Sequence, residues 1–457
     1  MTDAVAAETH SEAAPPARFV VGSTMRHVVV MSATGSVGLV AIFLVDLLSL
    51  LYVSWLGDPR LTAAVGLASI LLFLTTSINV GLMIAVGALV SRALGAGDRA
   101  GARRLAASGL TIMTAFAALV VAVVWPLLPW LLALIGADDA TRAVAARYVA
   151  ITLPSNLLMA LGMGLSGVLR AVGDARRGMY VTLVGAVVTA VLDPVLIFWA
   201  RLGVDGAAIA VVVSRGIFAL VGWYGAARIH DLVARPRAAD VARDARAMLA
   251  IALPAVLTNV ATPVAGAFVA GVIARFGDTA IAGNAVIDRL APVAFGGLFA
   301  LSGAVGPILG QNWGAGRFER MRATLRDAVV VTAVYVVAVW ALLAGGRGIV
   351  VDLFHAEGVA AQVVTAFCLL AGPMWFFNGL LFVANASFNN LGFPFLSTAF
   401  NWGRATLGTM PFALVGAAWG GPVGVLIGVA VGSVAFGIGA LATAFWTIRR
   451  LEARARA

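Results

Sequence analysis

Residues 90–98, Val90-Ser91-Arg92-Ala93-Leu94-Gly95-Ala96-Gly97-Asp98, close an apolar run that begins near residue 62. The same punctuation returns in Leu309-Gly310-Gln311-Asn312-Trp313-Gly314-Ala315-Gly316, so Gly95-Ala96-Gly97 and Gly314-Ala315-Gly316 stand 219 residues apart. Working outward, Trp55-Leu56-Gly57-Asp58 is echoed by Arg275-Phe276-Gly277-Asp278 at an offset of 220, and Gly173 by Gly392 at 219. Pro194 is echoed by Pro411 at 217, and Gly203 with Gly206 by Gly421 with Gly424 at 218. One glycine match means little in a chain with 51 glycines. Five landmarks in order at a nearly constant offset mark two copies of one unit.

The composition says what solvent the unit is built for. Of 457 residues, 61% are hydrophobic and 11% charged, where a water-soluble domain keeps roughly a quarter charged. Apolar runs of the length that crosses a bilayer, about 20 residues, recur from Met31 to Trp446. Hydrocarbon offers no partner to backbone N–H and C=O groups, so each run must be a helix. A β-barrel would show shorter segments alternating apolar and polar residues, and none appears. Twelve spans fit: roughly 27–54, 62–88, 107–133, 143–170, 177–200, 207–230, 247–274, 280–307, 326–345, 361–388, 393–416 and 422–447. The expected fold is an all-α integral membrane protein with two six-helix bundles. Six spans per copy is an even number, so both copies enter the membrane in one orientation, and the bundles are related by a pseudo-two-fold axis along the membrane normal.

Net charge of +10 would point to nucleic acid in a soluble protein; here it reads as topology, with no nucleic-acid partner. All 31 basic residues are Arg, of which 22 fall in the termini and alternate loops, 6 in the opposite loops, and 3 (Arg215, Arg289, Arg404) inside spans. The crowded side is expected to be cytoplasmic, with both termini on it, in a bacterial inner membrane. The organisation expected is a cytoplasmic tail over 1–26, disordered over its first 20 or so residues, a first lobe over 27–230 and a cytoplasmic linker over 231–246. A second lobe over 247–447 and a basic cytoplasmic tail over 448–457 follow. The polar start lacks the apolar core of a cleaved signal peptide. Cys368 stands alone, and the four histidines are scattered, so no intrachain disulfide and no His/Cys metal cluster is expected.

Three acids lie well inside spans: Asp46, Asp193 and Asp288. An intramembrane carboxylate is costly and usually faces a cavity or polar interior. It can exchange a proton or small cation for a cationic substrate. Ser49 shares a helix face with Asp46. Thr189 precedes Asp193 by one turn, and Pro194 removes a backbone donor, freeing a carbonyl near residue 190. Carboxylate, hydroxyl and carbonyl together make a candidate cation site, with Na⁺ at Asp46/Asp193 the only metal it suggests. The plain alternative is that each acid pairs with a neighbouring helix or a loop arginine. For adjacent Asp288 and Arg289 that structural pairing, with other helices, is the favoured reading. Arg215 and Arg404 either snorkel or line a route. Trp125, Trp130, Trp340 and Trp446 read as interfacial anchors. In the second lobe, Trp375, Phe377, Asn378, Asn385 and Asn389, with Asn259, are candidates for a polar and aromatic cavity wall without an acid.

These landmarks resemble the multidrug and toxic compound extrusion (MATE) transporters over about residues 27–447. Residues 90–98 look like that family's loop after the second span, and 309–316 like its counterpart after the eighth. Arg289 matches an arginine common in the eighth span. Leu192-Asp193-Pro194 with Leu202-Gly203-Val204-Asp205-Gly206-Ala207-Ala208-Ile209-Ala210 matches the fifth and sixth. The resemblance implies export of cationic, amphipathic compounds driven by H⁺ or Na⁺, with no cofactor, and a cation-handling role for first-lobe acids, of which Asp193 aligns well. The departures are several. The family's first-span Asp falls at Ser49, with Asp46 one turn earlier; Thr189 stands where Asn is common, Val211 where Thr is common, and Thr34 where many members have Pro. No acid stands near Asn378, unlike members with second-lobe acids. Asp46 and Asp193 are therefore the coupling candidates, leaning towards H⁺. The expected partners are a cationic small molecule and membrane lipids, and the expected state is a monomer. A lipid-linked oligosaccharide flippase of the same superfamily is the alternative, disfavoured by twelve spans and few buried arginines. An intramembrane enzyme is disfavoured further, because no clear set of nucleophile, base and metal ligands is present.

Overall fold

The computed structural model describes residues 17–134 and 138–457; of the expected N-terminal tail, residues 1–16 lie outside the described residues. The first lobe contains α1 (Thr24–Ser54), α2 (Pro59–Gly95), α3 (Arg99–Leu134), α4 (Asp139–Thr152), α5 (Asn156–Val172), α6 (Ala175–Pro194) and α7 (Gly203–Trp223). The second contains α8 (Ala238–Ala274), α9 (Asp278–Gly314), α10 (Phe318–Gly345), α11 (Arg347–Leu353), α12 (Gly358–Asn390), α13 (Pro394–Gly403) and α14 (Met410–Arg456). No strand occurs among the described residues.

Eleven continuous helical segments are long and apolar enough to cross a membrane, α4 and α5 counting as one and α13 and α14 as one of 63 residues. That last segment breaks at Gly420 and Gly421, whose φ/ψ leave the helical region. It therefore crosses twice, and twelve crossings result. Helix starts are set by short polar side chains: Ser23 accepts from the Arg26 N–H at 3.3 Å, Asp58 from Arg60 at 2.9 Å and Asp174 from Arg177 at 3.0 Å.

The repeat is written into the backbone. α2 and α9 are each 37 residues long. Gly97 and Gly316 both take left-handed φ (+79° and +66°), as do Gly203 and Gly421 (+56° and +57°). In both repeats these residues turn the chain between spans, where a side chain would be strained.

Small residues let the helices approach. In hydrocarbon, apolar side chains gain no hydrophobic free energy by leaving lipid for one another, so packing contact decides which helices associate. In the last hairpin, a Cβ on Gly416 would lie 2.0 Å from the Gly424 carbonyl oxygen, and one on Gly424 2.0 Å from that of Gly416. The two lobes meet in the same way. A Cβ on Gly95 would fall 2.0 Å from the Gln311 carbonyl oxygen, and one on Gly314 2.1 Å from that of Arg92. The repeat offset of 219 relates both glycines and both carbonyls, so the contact is reciprocal about the pseudo-two-fold axis.

Every hydrogen bond between the lobes, among the described residues, lies on the arginine-rich side. Arg92 donates to the Asn390 carbonyl at 3.1 Å and stacks its guanidinium 3.4 Å from the Trp313 ring centre. Gln311 donates to the Ala171 carbonyl at 2.6 Å, and Asp244 of α8 accepts from Arg104 and from Ser108 of α3, the latter at 2.8 Å. Towards the middle, Gly35 of α1 rests on Ala300 of α9, and Gly81 of α2 on Val256 of α8. The lobes are sealed at one end.

Residues 17–23, expected at the end of a disordered tail, are ordered. Phe19 is 1% exposed; its N–H donates to Gln311 Oε1 at 2.8 Å, and its carbonyl accepts from Asn312 at 3.2 Å and from Arg320 at 2.8 Å. A single aromatic in a polar tail carries no periodic signal, but the burial of one Phe side chain brings roughly 1.5–3 kcal/mol and the seal supplies the bonds. The second half of the polar connection at 231–246 is already the first turns of α8.

Candidate functional site

The first-lobe site sits where α1, α6, α7 and α4 converge. Asp193, one residue before Pro194 and the π-helical turn Val195–Trp199, is 1% exposed. Ser49 of α1 donates its hydroxyl to Asp193 Oδ2. The other oxygen, Oδ1, is buried without a partner. No arginine lies within ion-pair distance of Asp193 among the described residues; of the two plain pairings its partner is the neighbouring helix, through Ser49 alone. A buried carboxylate with one hydroxyl partner and one bare oxygen is a costly arrangement. Such an orphan asks for a proton, a cation or water.

Asp46 lies one turn from Ser49 on α1 and is not packed within the protein interior. It stays within electrostatic reach of Asp193 and of Arg215. Arg215 of α7 neither snorkels free nor pairs directly with a carboxylate. It donates to the Thr152 carbonyl at 3.2 Å and to Ser155 Oγ at 2.9 Å. Those acceptors sit, buried, at the break between α4 and α5 at Leu153-Pro154-Ser155. Tyr148 of α4, buried, lies within electrostatic reach of Arg215, Asp193 and Asp46. Sequence reading singled out neither Tyr148 nor the anchoring of Arg215. Pro154 mid-span was the one available signal, since a proline there interrupts the helix and marks a place where backbone groups leave the regular ladder.

Thr189 departs from its expected place. Its hydroxyl donates to the Gly185 carbonyl at 3.2 Å, which also accepts from Ser214 at 2.7 Å. A threonine in a helix readily bonds the i−4 carbonyl, and Thr189 gives its proton there rather than to Asp193. Asp288 and Arg289 depart as well. Both are exposed, Asp288 accepts from Asn284 of its own helix at 3.0 Å, and neither forms an ion pair among the described residues.

The second-lobe candidates divide. Asn385 and Asn389 are buried and committed to α13, accepting from Asn401 at 2.9 Å and Ser397 at 3.1 Å. Asn378 and Asn259 each donate to the carbonyl four residues back. Trp375 stacks on Phe295 with ring centres 4.6 Å apart, and its indole N–H is buried without a partner. Phe377 packs edge-on to Phe376 and backs onto Gly437. Arg404 opens the π-helical turn Arg404–Thr409 and is 8% exposed. Gly95 and Gly314 belong to the seal, and Gly97 and Gly316 are exposed in the turns that follow it.

The family model MatE matches residues 36–195 and 254–415. The chain is 26% identical over 420 residues to a FAD transporter of Shewanella oneidensis, covering 89% of this chain and 91% of that one. It is 29% identical to a probable multidrug resistance protein NorM of Pseudomonas putida, covering 87% and 89%. Among solved structures, a MATE transporter of Vibrio cholerae superposes with a TM-score of 0.90 at 24% identity, covering 94% and 98%. An outward-facing multidrug resistance MATE transporter superposes at 0.89 with 22% identity, covering 95% and 98%. The fold and the match over most of the chain make it a multi-pass membrane protein of the transporter class. It belongs to the MATE family.

Proposed function

We propose that this chain is a cation-coupled antiporter of a bacterial plasma membrane, exporting cationic amphipathic compounds by alternating access. The arginine-rich side is the cytoplasmic one, and the sealed seam at Gly95 and Gly314 is the inner gate of an outward-open state. The observation that carries the reading is Asp193: a buried carboxylate with a single hydroxyl partner, a bare second oxygen and no arginine against it. With Asp46 one turn along α1 from Ser49, the first lobe presents negative charge to a compound that is positive. Cation uptake by Asp193 in the outward-open state cancels that charge and releases the compound. Loss of the cation on the inner side restores it. The two ligands weaken each other equally, as linkage requires, and rocking of two parallel bundles moves the site between compartments. The multidrug names of several relatives support the direction of transport, and H⁺ is favoured over Na⁺ because Val211 stands where a threonine is common in the family, leaving fewer oxygen ligands for a metal ion.

The test is transport of a cationic dye in proteoliposomes under an imposed pH gradient and then an imposed Na⁺ gradient. Asp193→Asn is expected to insert normally and to abolish gradient-driven export together with dye-induced proton release. Undiminished coupled export by that variant overturns the mechanism.

A further inference from the structure

The second lobe holds a charge that no carboxylate answers among the described residues. Arg404 lies ten residues into its span from Pro394 and is 8% exposed. Its one hydrogen bond is a long one, from Nη2 to Thr262 Oγ1 of α8 at 3.4 Å, and its Nε is buried with no partner. No acidic group lies within reach of it among the described residues. The amide one turn back on α13, Asn401, is spent on Asn385 of α12. A guanidinium has five N–H donors in a planar fork; here one is weakly used. Uncompensated charge inside a membrane protein is expensive and, where it is kept, is matched by a partner.

The repeat says where this guanidinium sits. α1 and α6 of the first lobe correspond to α8 and α13 of the second. Each pair is bridged once by a hydroxyl and a charged side chain: Ser49 to Asp193, and Thr262 to Arg404. The second bridge is about two helical turns nearer the arginine-rich side, and the sign of its charge is reversed. Both charged residues adjoin a π-helical turn, a local distortion frequent at functional positions. Thr262 itself is exposed, so the tip of Arg404 lies beside an open surface of the seam.

We propose that the seam between α8 and α13 is an anion subsite, in which Arg404 takes a carboxylate or phosphate group of the exported compound. This rests on the efflux reading above and narrows it. The compound carries both signs, its cationic end meeting the first-lobe carboxylates and its acidic end the second-lobe guanidinium, so the two lobes grip opposite ends.

A matched pair of probes tests it: one xanthylium dye as its ethyl ester, a cation, and as its free carboxylic acid, a zwitterion. Binding to the purified full-length protein is read by fluorescence anisotropy, and transport in proteoliposomes. The wild type is expected to bind the acid more tightly than the ester. Arg404→Gln is expected to lower acid affinity about 10- to 100-fold, the range of a charged hydrogen bond, with ester affinity unchanged. Arg404→Lys restores part of the difference, because a point charge replaces the fork. An unchanged acid-to-ester ratio in Arg404→Gln, or no binding of the acid at all, overturns the subsite. Should Arg404→Gln fail to fold, the wild type decides: benzoate must weaken acid binding and leave ester binding alone, and equal effects on both overturn it. Arg404-dependent acid binding without transport of either dye removes the efflux reading and leaves the subsite.

Discussion

Gly95 and Gly314 occupy equivalent positions on α2 and α9, and each presses its Cα against the backbone of the other's helix. The Gly95 position faces the Gln311 carbonyl and the Gly314 position the Arg92 carbonyl, with 2.0 and 2.1 Å left for any Cβ. Neither backbone can yield as a flexible side chain would. Gly95→Val should therefore shift the protein away from the sealed state. Ser91 is fully buried in that seam. With Cys368 replaced by Ala and Ser91→Cys introduced, labelling by an impermeant maleimide from the arginine-rich side is expected to rise at least several-fold on adding Gly95→Val. Equal labelling in both backgrounds would mean the contact does not gate.

Ser49 supplies the only side-chain hydrogen bond to the Asp193 carboxylate among the described residues. Ser49→Ala leaves the carboxylate in place and removes its donor, an interaction of roughly 1.5–3 kcal/mol for a charged acceptor. Gradient-driven dye export in everted vesicles is expected to fall by about tenfold or more without loss of inserted protein, and Ser49→Thr to recover much of it. Wild-type rates in Ser49→Ala would show the bond to be incidental.

Asp174 caps α6 on the arginine-rich side, accepting from the Arg177 N–H at 3.0 Å, the Arg177 side chain at 2.5 Å and His230 at 2.8 Å. Burial acts to raise its carboxyl, but these hydrogen bonds outweigh it and hold the group below its ordinary value. A depressed folded-state value contributes stability above about pH 4, the unfolded aspartate value, and that contribution is lost as pH falls through the folded one. Asp174→Ala should cost about 1 kcal/mol, the usual worth of a cap. The resulting drop in Tm should be full at neutral pH and vanish in acid. A deficit independent of pH would assign the effect to packing.

Asp244 is 5% exposed and answered by Arg104, Ser108 at 2.8 Å and, more distantly, Arg243 at 3.8 Å. Removing the main partner from a buried pair costs about 3–5 kcal/mol, because the survivor stays charged and dry. Arg104→Gln is expected at the lower end of that range, since Arg243 remains, and Arg104→Gln with Asp244→Asn is expected to regain most of it. Thermal unfolding in detergent reads both. A double variant no better than the single would locate the loss in the arginine's packing.

The helices, their number and the duplication were legible because hydrocarbon imposes one rule on every span and because turn glycines repeat at a fixed offset. Asp193 was legible for the same reason: a rare charge in an apolar run stands out by itself. What the sequence withheld was pairing. Ser49 could be placed on a helix face with Asp46, but not opposite Asp193 on another helix. Arg215 could be placed in a span, but not against the carbonyl of Thr152. Thr189 looked like a ligand for its neighbour and instead followed the stronger local preference for the carbonyl a turn behind. Phe19 was invisible because its partners, Gln311, Asn312 and Arg320, are about 300 residues away.

By chain order Phe19 leads into the first lobe, yet its backbone is tied to the second. Thr24, at the head of α1, is likewise bonded to Asp327 of α10 at 2.5 Å. The segment ahead of α1 thus acts as a clasp thrown across the closed end, and parting the lobes there starts by undoing it. A bulky protein fused or bound just upstream of residue 17 would drag on that clasp and alter the turnover rate from outside the cleft.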